Sequence, residues 1–206
     1  MSANSSLIVY SDSDPKDVLR AYPVLDKAAT KALAEKLFPG ADIVEIGDEL
    51  LADALDPPEQ VAYLGCFSGL DLVCNWTIMP DRPSQLDPAV LHATERRQTH
   101  LYALHADADW CSYGVWQDGE LRRAYSACPD PGVIEDVGER MTFEQDEYET
   151  NDDRGDAACK ALFGIDTTDD ADIDDVDPGL IPVVGYRVSA RSTEEERAQV
   201  ALGDRQ

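Results

Sequence analysis

Tyr113-Gly-Val-Trp-Gln117, Asp118-Gly119 and Glu120-Leu-Arg-Arg-Ala-Tyr-Ser126 form the stretch that decides the fold. Two runs with β-branched and aromatic residues flank an Asp-Gly pair. A two-residue hairpin turn of type I′ needs positive φ at both central positions, which is what Asp-Gly supplies. The stretch predicts a β-hairpin in the C-terminal half. Working outward, 99–105 reads as a strand before it, and 61–67 with 70–76 reads as a second hairpin about Ser68-Gly69. Leu7-Ile-Val-Tyr10 is a short apolar β-type run, 43–46 a further short strand, and 180–190 a last one, with Pro182 placing it at an edge or at a strand start.

Helix signals are interleaved with these runs. Asp14-Pro15 is a helix start, the Asp accepting from first-turn amides and Pro occupying the position that needs no donor. Pro23 breaks this helix, and Leu25, Ala29, Leu33 and Leu37 then recur every four residues until Phe38-Pro39-Gly40. Asp87-Pro88 opens a helix over 87–97, and Gly164 closes one over 153–163. The stretch 129–150 is read as irregular and acidic. The expected class is α+β: one domain over 1–190, a mixed sheet flanked by helices near 15–38, 87–97 and 153–163, and a charged, frayed or disordered tail over 191–206.

Charge excludes more than it identifies. Forty-two Asp and Glu face seventeen Lys and Arg, a net charge of −25. Phosphate backbones and anionic lipid surfaces are bound through Lys and Arg, so nucleic acid and membrane are excluded as expected partners, and a basic protein partner is the expectation. As the source of the acidity, adaptation of the whole surface to salt fits the Asp-rich, Lys-poor composition better than a basic partner does, since the excess is spread along the chain rather than gathered in one stripe. No apolar run reaches the roughly 20 residues of a membrane span, and residues 1–6 lack a secretory signal, so a cytoplasmic location is expected. Cys66, Cys74, Cys111, Cys128 and Cys159 are odd in number and none forms C-x-x-C, which argues for reduced thiols and against a Cys zinc site.

Candidate chemistry falls in three places. Asp12 and Asp14 follow the first strand directly, where ligand crevices open in α/β sheets. Asp-x-Asp there resembles the nucleophile and acid pair of haloacid-dehalogenase-type phosphatases. Lys160 and Asp169-Asp170 stand in the order that family requires, without a strand to carry them. A helix cap at Asp14 and a turn at Asp12 are the plain alternatives. His105, Asp107, Asp109 and Cys111 alternate, so an extended backbone would put four potential metal ligands on one face. His100 would then point the other way. In the Asp-rich stretch, Asp170, Asp172 and Asp174 fit the first, third and fifth positions of a calcium loop. Asp175 replaces the required Gly and Ile181 the bidentate Glu, so the template fails. No cofactor is expected. Neither G-x-S-x-G nor a phosphate-cradling glycine loop occurs. Trp76, Trp110 and Trp116 are expected in the core, while Tyr113, Trp116 and Arg123 on the hairpin are a candidate partner surface.

Several stretches together resemble a family of uncharacterised actinobacterial proteins of about two hundred residues. They include Tyr10-x-Asp12-x-Asp14, Leu37-Phe-Pro-Gly40, Gly65-Cys-Phe-x-Gly69-x-Asp71-Leu-Val-Cys74, Asp81-Arg-Pro-Ser84, Asp109-Trp110, Val115-Trp-x-Asp-Gly-x-Leu-x-Arg123, Gly132-Val-Ile-Glu-Asp-x-Gly-Glu-Arg140, Ala161-Leu-Phe-Gly164 and Gly185-Tyr-Arg187. The resemblance implies no activity. The portion from Asp118 to Glu144 is also similar to a hairpin-and-loop module of bacterial immunity-type proteins, in which Arg123 would pair with Glu135, Glu139 or Glu144 and pin the loop. The favoured expectation is a non-enzymatic interaction module, immunity or antitoxin-like. The opposing one is a small metal-assisted hydrolase using Asp12 and Asp14, or the face from His105 to Asp109.

Overall fold

Leu7, Ile8 and Val9 are successive residues of one strand, and all three are fully buried. Side chains alternate across a strand, so this requires a sheet covered on both faces. The computed structural model describes residues 4–145, 147–167 and 172–190. Among the described residues there are nine strands: β1 Ser5–Ser11, β2 Ala41–Leu50, β3 Val61–Phe67, β4 Leu70–Cys74, β5 Gln98–His105, β6 Trp110–Gln117, β7 Glu120–Cys128, β8 Gly132–Gly138 and β9 Pro182–Ala190. They form a single sheet in the order β2-β9-β3-β4-β1-β5-β6-β7-β8. The helices are α1 Pro15–Arg20, α2 Lys27–Leu37, α3 Leu51–Ala54, α4 Pro88–Leu91 and α5 Asn151–Phe163. The chain is a single-domain α+β protein.

Every pairing in the sheet is antiparallel, which corrects the expected mixed sheet. An uninterrupted apolar strand usually belongs to a parallel sheet with helices on both faces. Here the same burial comes from helices laid on both faces of an antiparallel one. On one face α1, α3 and α5 cover Leu7, Val9, Tyr102, Leu104 and Tyr113; on the other α2 and α4 cover Ile8, Leu64, Val73, Leu101 and Trp116. Each such aliphatic side chain contributes about 1.5–3 kcal/mol when taken from water.

The Asp-Gly hairpin forms as its sequence predicts. Asp118 and Gly119 have φ of 52° and 79°, and β6 pairs with β7 across them. The hairpin at Gly69, the Pro23 break and the Gly164 stop of α5 also stand where the sequence puts them. Two expectations change, and a third is resolved between its alternatives. The helix over 87–97 is one four-residue turn, capped by Asp87 and stapled by the Tyr10 hydroxyl donating to the Val90 carbonyl at 2.7 Å. Within 129–150 lies β8, an edge strand whose Gly138 (φ 90°) could not carry a side chain: a Cβ there would sit 2.0 Å from the Arg122 carbonyl oxygen. Of the two placements Pro182 allowed, the strand start holds: Pro182 is the first residue of β9, which lies between β2 and β3 rather than at an edge. The tail 191–206 lies outside the described residues. At the other edge β2 exposes Glu45 and Asp48 beside Val44 and Ile46, and such charges discourage edge-to-edge association.

Candidate functional site

Asp12 and Asp14 emerge from β1, but β1 is antiparallel to both neighbours and no row of strand ends opens a crevice there. Arg96 gathers the first of them: it donates to Asp12 Oδ2 at 2.6 Å, to Asp71 Oδ2 at 2.9 Å and to the Phe67 carbonyl at 3.1 Å. The hydrogen bond to Asp71, opposed by burial and aided by Asp12, raises the Arg96 pKa. Asp14 turns the other way and caps α1 by accepting from the Lys16 amide at 3.0 Å. Beside it, His100 lines a cleft of about 300 Å³. Burial pushes its pKa down to about 4, so the imidazole is neutral at physiological pH. The phosphatase-like pair is thus divided between an arginine clamp and a helix cap.

The hairpin residues offered as a candidate partner surface are in the core, where Trp116 was expected. Tyr113 is fully buried and Trp116 nearly so. Arg123 is 2% exposed and sits opposite Glu144 at 1%, donating Nε to Glu144 Oε1 at 2.8 Å and Nη2 to Oε2. It also donates to Asp136 at 2.6 Å and to the Val137 carbonyl at 3.0 Å. Burial opposes the charge, but these carboxylates hold the guanidinium pKa above its ordinary value. Of the three glutamates named for the pinning contact, Glu144 makes it, while Glu135 accepts from Ser84. Phe143 then packs tilted against Tyr113 with ring centroids 5.5 Å apart, Tyr113 stacks on Tyr125 at 5.2 Å, and the Arg154 guanidinium lies 4.9 Å from the Tyr125 ring.

The alternation from His105 to Cys111 does not survive folding. Residues Ala106–Ala108 form a 3-10 turn and Asp109 is left-handed at φ 44°. Asp109 therefore faces α5, where it accepts from the Asp152 amide at 3.0 Å and from the Asn151 side chain. Asp107 is exposed and Cys111 returns to the core. Among the described residues no group of three potential metal ligands occurs. The described part of the Asp-rich loop is held by cations from α5 and α1: Lys160 donates to Asp166 at 2.6 Å and to Asp175 at 3.1 Å, and Arg20 to the Asp174 carbonyl. Asp169 and Asp170 lie outside the described residues.

His105 nevertheless marks a site. It stands directly across from Trp110 in the β5–β6 register, and its ring lies 6.1 Å from that of Trp76 with the planes 54° apart. Trp76 opens a 3-10 turn that Asn75 caps through the Thr77 amide, and its indole Nε1 donates to Asp56 at 2.9 Å, which fixes the ring. Met79, Asp81 and Ala108 complete a cleft of about 270 Å³. Across Asp81, Ala108 and Trp110 it continues into a second cleft of about 490 Å³ bounded by Cys128, Asp130 and Ile134. The wall is anchored where Arg82 donates to the Ile134 carbonyl and Ser84 to Glu135. Two of the three tryptophans, expected in the core, are therefore partly exposed around one acidic-rimmed groove. The signal that pointed to it was Asn75-Trp76, an aromatic residue two positions past the end of β4, which the core reading passed over.

Residues 5–186 match the model of a family of unknown function, DUF6928, and the chain belongs to that family. No curated protein and no solved structure matches it. Among the described residues no helix is long and apolar enough to cross a membrane.

Proposed function

We propose that this chain is a cytoplasmic, non-enzymatic interaction module that receives a basic protein partner in the Trp76–Trp110 groove, in the manner of an immunity or antitoxin-like protein. The observation that carries the reading is the coincidence of two partly exposed indole rings with exposed carboxylates at Asp81 and Asp130. Rigid aromatic anchors in a pocket with a polar rim are the usual energetic centre of a protein interface. A surface of net charge −25 steers cations toward it and repels polyanions. The two aspartates of the opposing hydrolase reading point in different directions, one into an arginine clamp and one onto a helix.

The test is a titration of the full chain with an arginine- and lysine-rich peptide and with an acidic peptide of equal length, followed by tryptophan fluorescence. The basic peptide should bind at low salt and dissociate at high salt, and Trp110→Ala should weaken it. Equal behaviour of the two peptides, or binding that ignores Trp110→Ala, would refute the reading.

A further inference from the structure

The proposed reception of a basic partner leaves open which of its groups the groove reads. Resting on that reading, we infer that the cleft between Trp76, His105 and Trp110 is a pocket for a single arginine side chain of the partner. A cation is attracted to the face of an indole ring, tryptophan being the strongest of the aromatic side chains in this respect. The Trp76 ring is already held: its only strong donor is engaged by Asp56, so a ligand meets a fixed apolar face and need not satisfy the edge. Met79 and Ala108 line the same cleft and suit the methylene stem of a long basic side chain.

Asp81 decides between the two basic side chains. It borders both clefts and is exposed, and among the described residues no Lys or Arg forms an ion pair with it. A planar guanidinium can stack on an indole while donating two parallel hydrogen bonds to one carboxylate, which a compact, strongly hydrated ammonium cannot do. Aromatic faces with one carboxylate at the mouth are therefore complementary to arginine rather than to lysine. The neighbouring cleft toward Ile134 leaves room for the residues that flank the inserted arginine.

The experiment uses the full chain and three peptides that differ at one position, carrying arginine, its neutral isostere citrulline, or lysine there. Tetramethylammonium serves as a small cation without donors. The arginine peptide should bind about tenfold more tightly than the citrulline peptide and severalfold more tightly than the lysine peptide. Asp81→Asn, on an exposed loop and checked by thermal melting, should remove most of that preference, while Glu95→Gln, exposed on the loop before β5, should not. Equal affinity for arginine and citrulline would overturn the pocket while leaving the basic-partner reading in place. Equal affinity for lysine, an effective block by tetramethylammonium alone, or an unchanged preference in Asp81→Asn would overturn the assignment to arginine. Failure of all three peptides to bind would remove both readings together.

Discussion

At the Gln98 end of β5, Arg96 gathers Asp12, Asp71 and a backbone carbonyl, and Asp14 is occupied as a helix cap. At the His105 end, about 24 Å away along an extended strand, Asp81 and Asp130 stand exposed in a groove lined by two partly exposed tryptophans. Carboxylates occur at both ends. What differs is the supply of cations: seventeen Lys and Arg are shared among forty-two acids. Several of them, Arg96, Arg123 and Lys160, lie against carboxylates that folding has brought close to apolar packing. The acids around the groove have no such partner among the described residues and are free to meet a cation from outside. A candidate site in so acidic a chain is therefore sought at uncompensated charge beside partly exposed apolar rings, and not at acidic residues as such.

The contrast can be broken most sharply at Glu144. Removing it leaves the Arg123 guanidinium buried with half its partners gone, so Glu144→Ala should lower stability by about 3–5 kcal/mol, whereas Asp81→Asn at the groove should stay within about 0.5 kcal/mol. Urea denaturation of the two variants measures the difference, and similar losses would mean the groove acids are structural too.

Acidification separates the ends next. His100 has its folded pKa lowered to about 4 by burial, with Asp14 raising it and Lys16 lowering it more weakly. Below its ordinary value near 6.5 the unfolded chain takes up a proton that the folded chain refuses. Stability should therefore fall as pH drops from about 6.5 to about 4, by at most about 3 kcal/mol. Asp156 acts in the opposite sense, since burial raises its pKa and folding then favours its protonated form. A His100→Gln variant should lose the slope in that window; a slope that persists would assign it to other groups.

Salt acts on the uncompensated acids as a set. Raising KCl from physiological strength to 1 M shortens the Debye length from about 8 to about 3 Å, and the melting temperature should rise by roughly 2–4 °C per kcal/mol of repulsion relieved. A flat melting curve would mean that exposed carboxylates repel one another too little to matter. The smallest effects belong to the phosphatase-like pair: Asp14→Ala should remove about 1 kcal/mol of capping and Asp12→Ala about the same or less, its ion pair being half exposed. Neither should change Mg²⁺ or Mn²⁺ retention by calorimetry. Tight metal binding lost in either variant would restore the hydrolase reading.

Local signals carried much of the fold. Asp118-Gly119 determined a hairpin because few residues accept two successive positive φ angles, and Asp14-Pro15, Asp87-Pro88 and Gly164 determined helix ends because each settles backbone groups within one turn. The α+β class and the surplus of negative charge were equally legible. Strand direction was not, because an apolar run such as Leu7-Ile-Val-Tyr10 says only that both faces are covered, and helices cover an antiparallel sheet as well as a parallel one. Nor was β8 legible: its pairing with β7 depends on a neighbour's ladder, and on Gly138 fitting against the Arg122 carbonyl, rather than on a strong pattern of its own.

The candidate site divides in the same way. His105 was visible as a residue type worth attention, but the face proposed for it failed because a 3-10 turn and the left-handed Asp109 broke the alternation. Its true neighbours, Trp76 and Trp110, come from the end of another strand and from the far side of that turn, and only register and sheet order put the three rings together. Composition determined that this protein carries unneutralised charge, since that is a sum over residues. Where the charge is neutralised and where it is left facing solvent was decided by the tertiary structure, because an ion pair or an aromatic groove depends on distances between residues far apart along the chain.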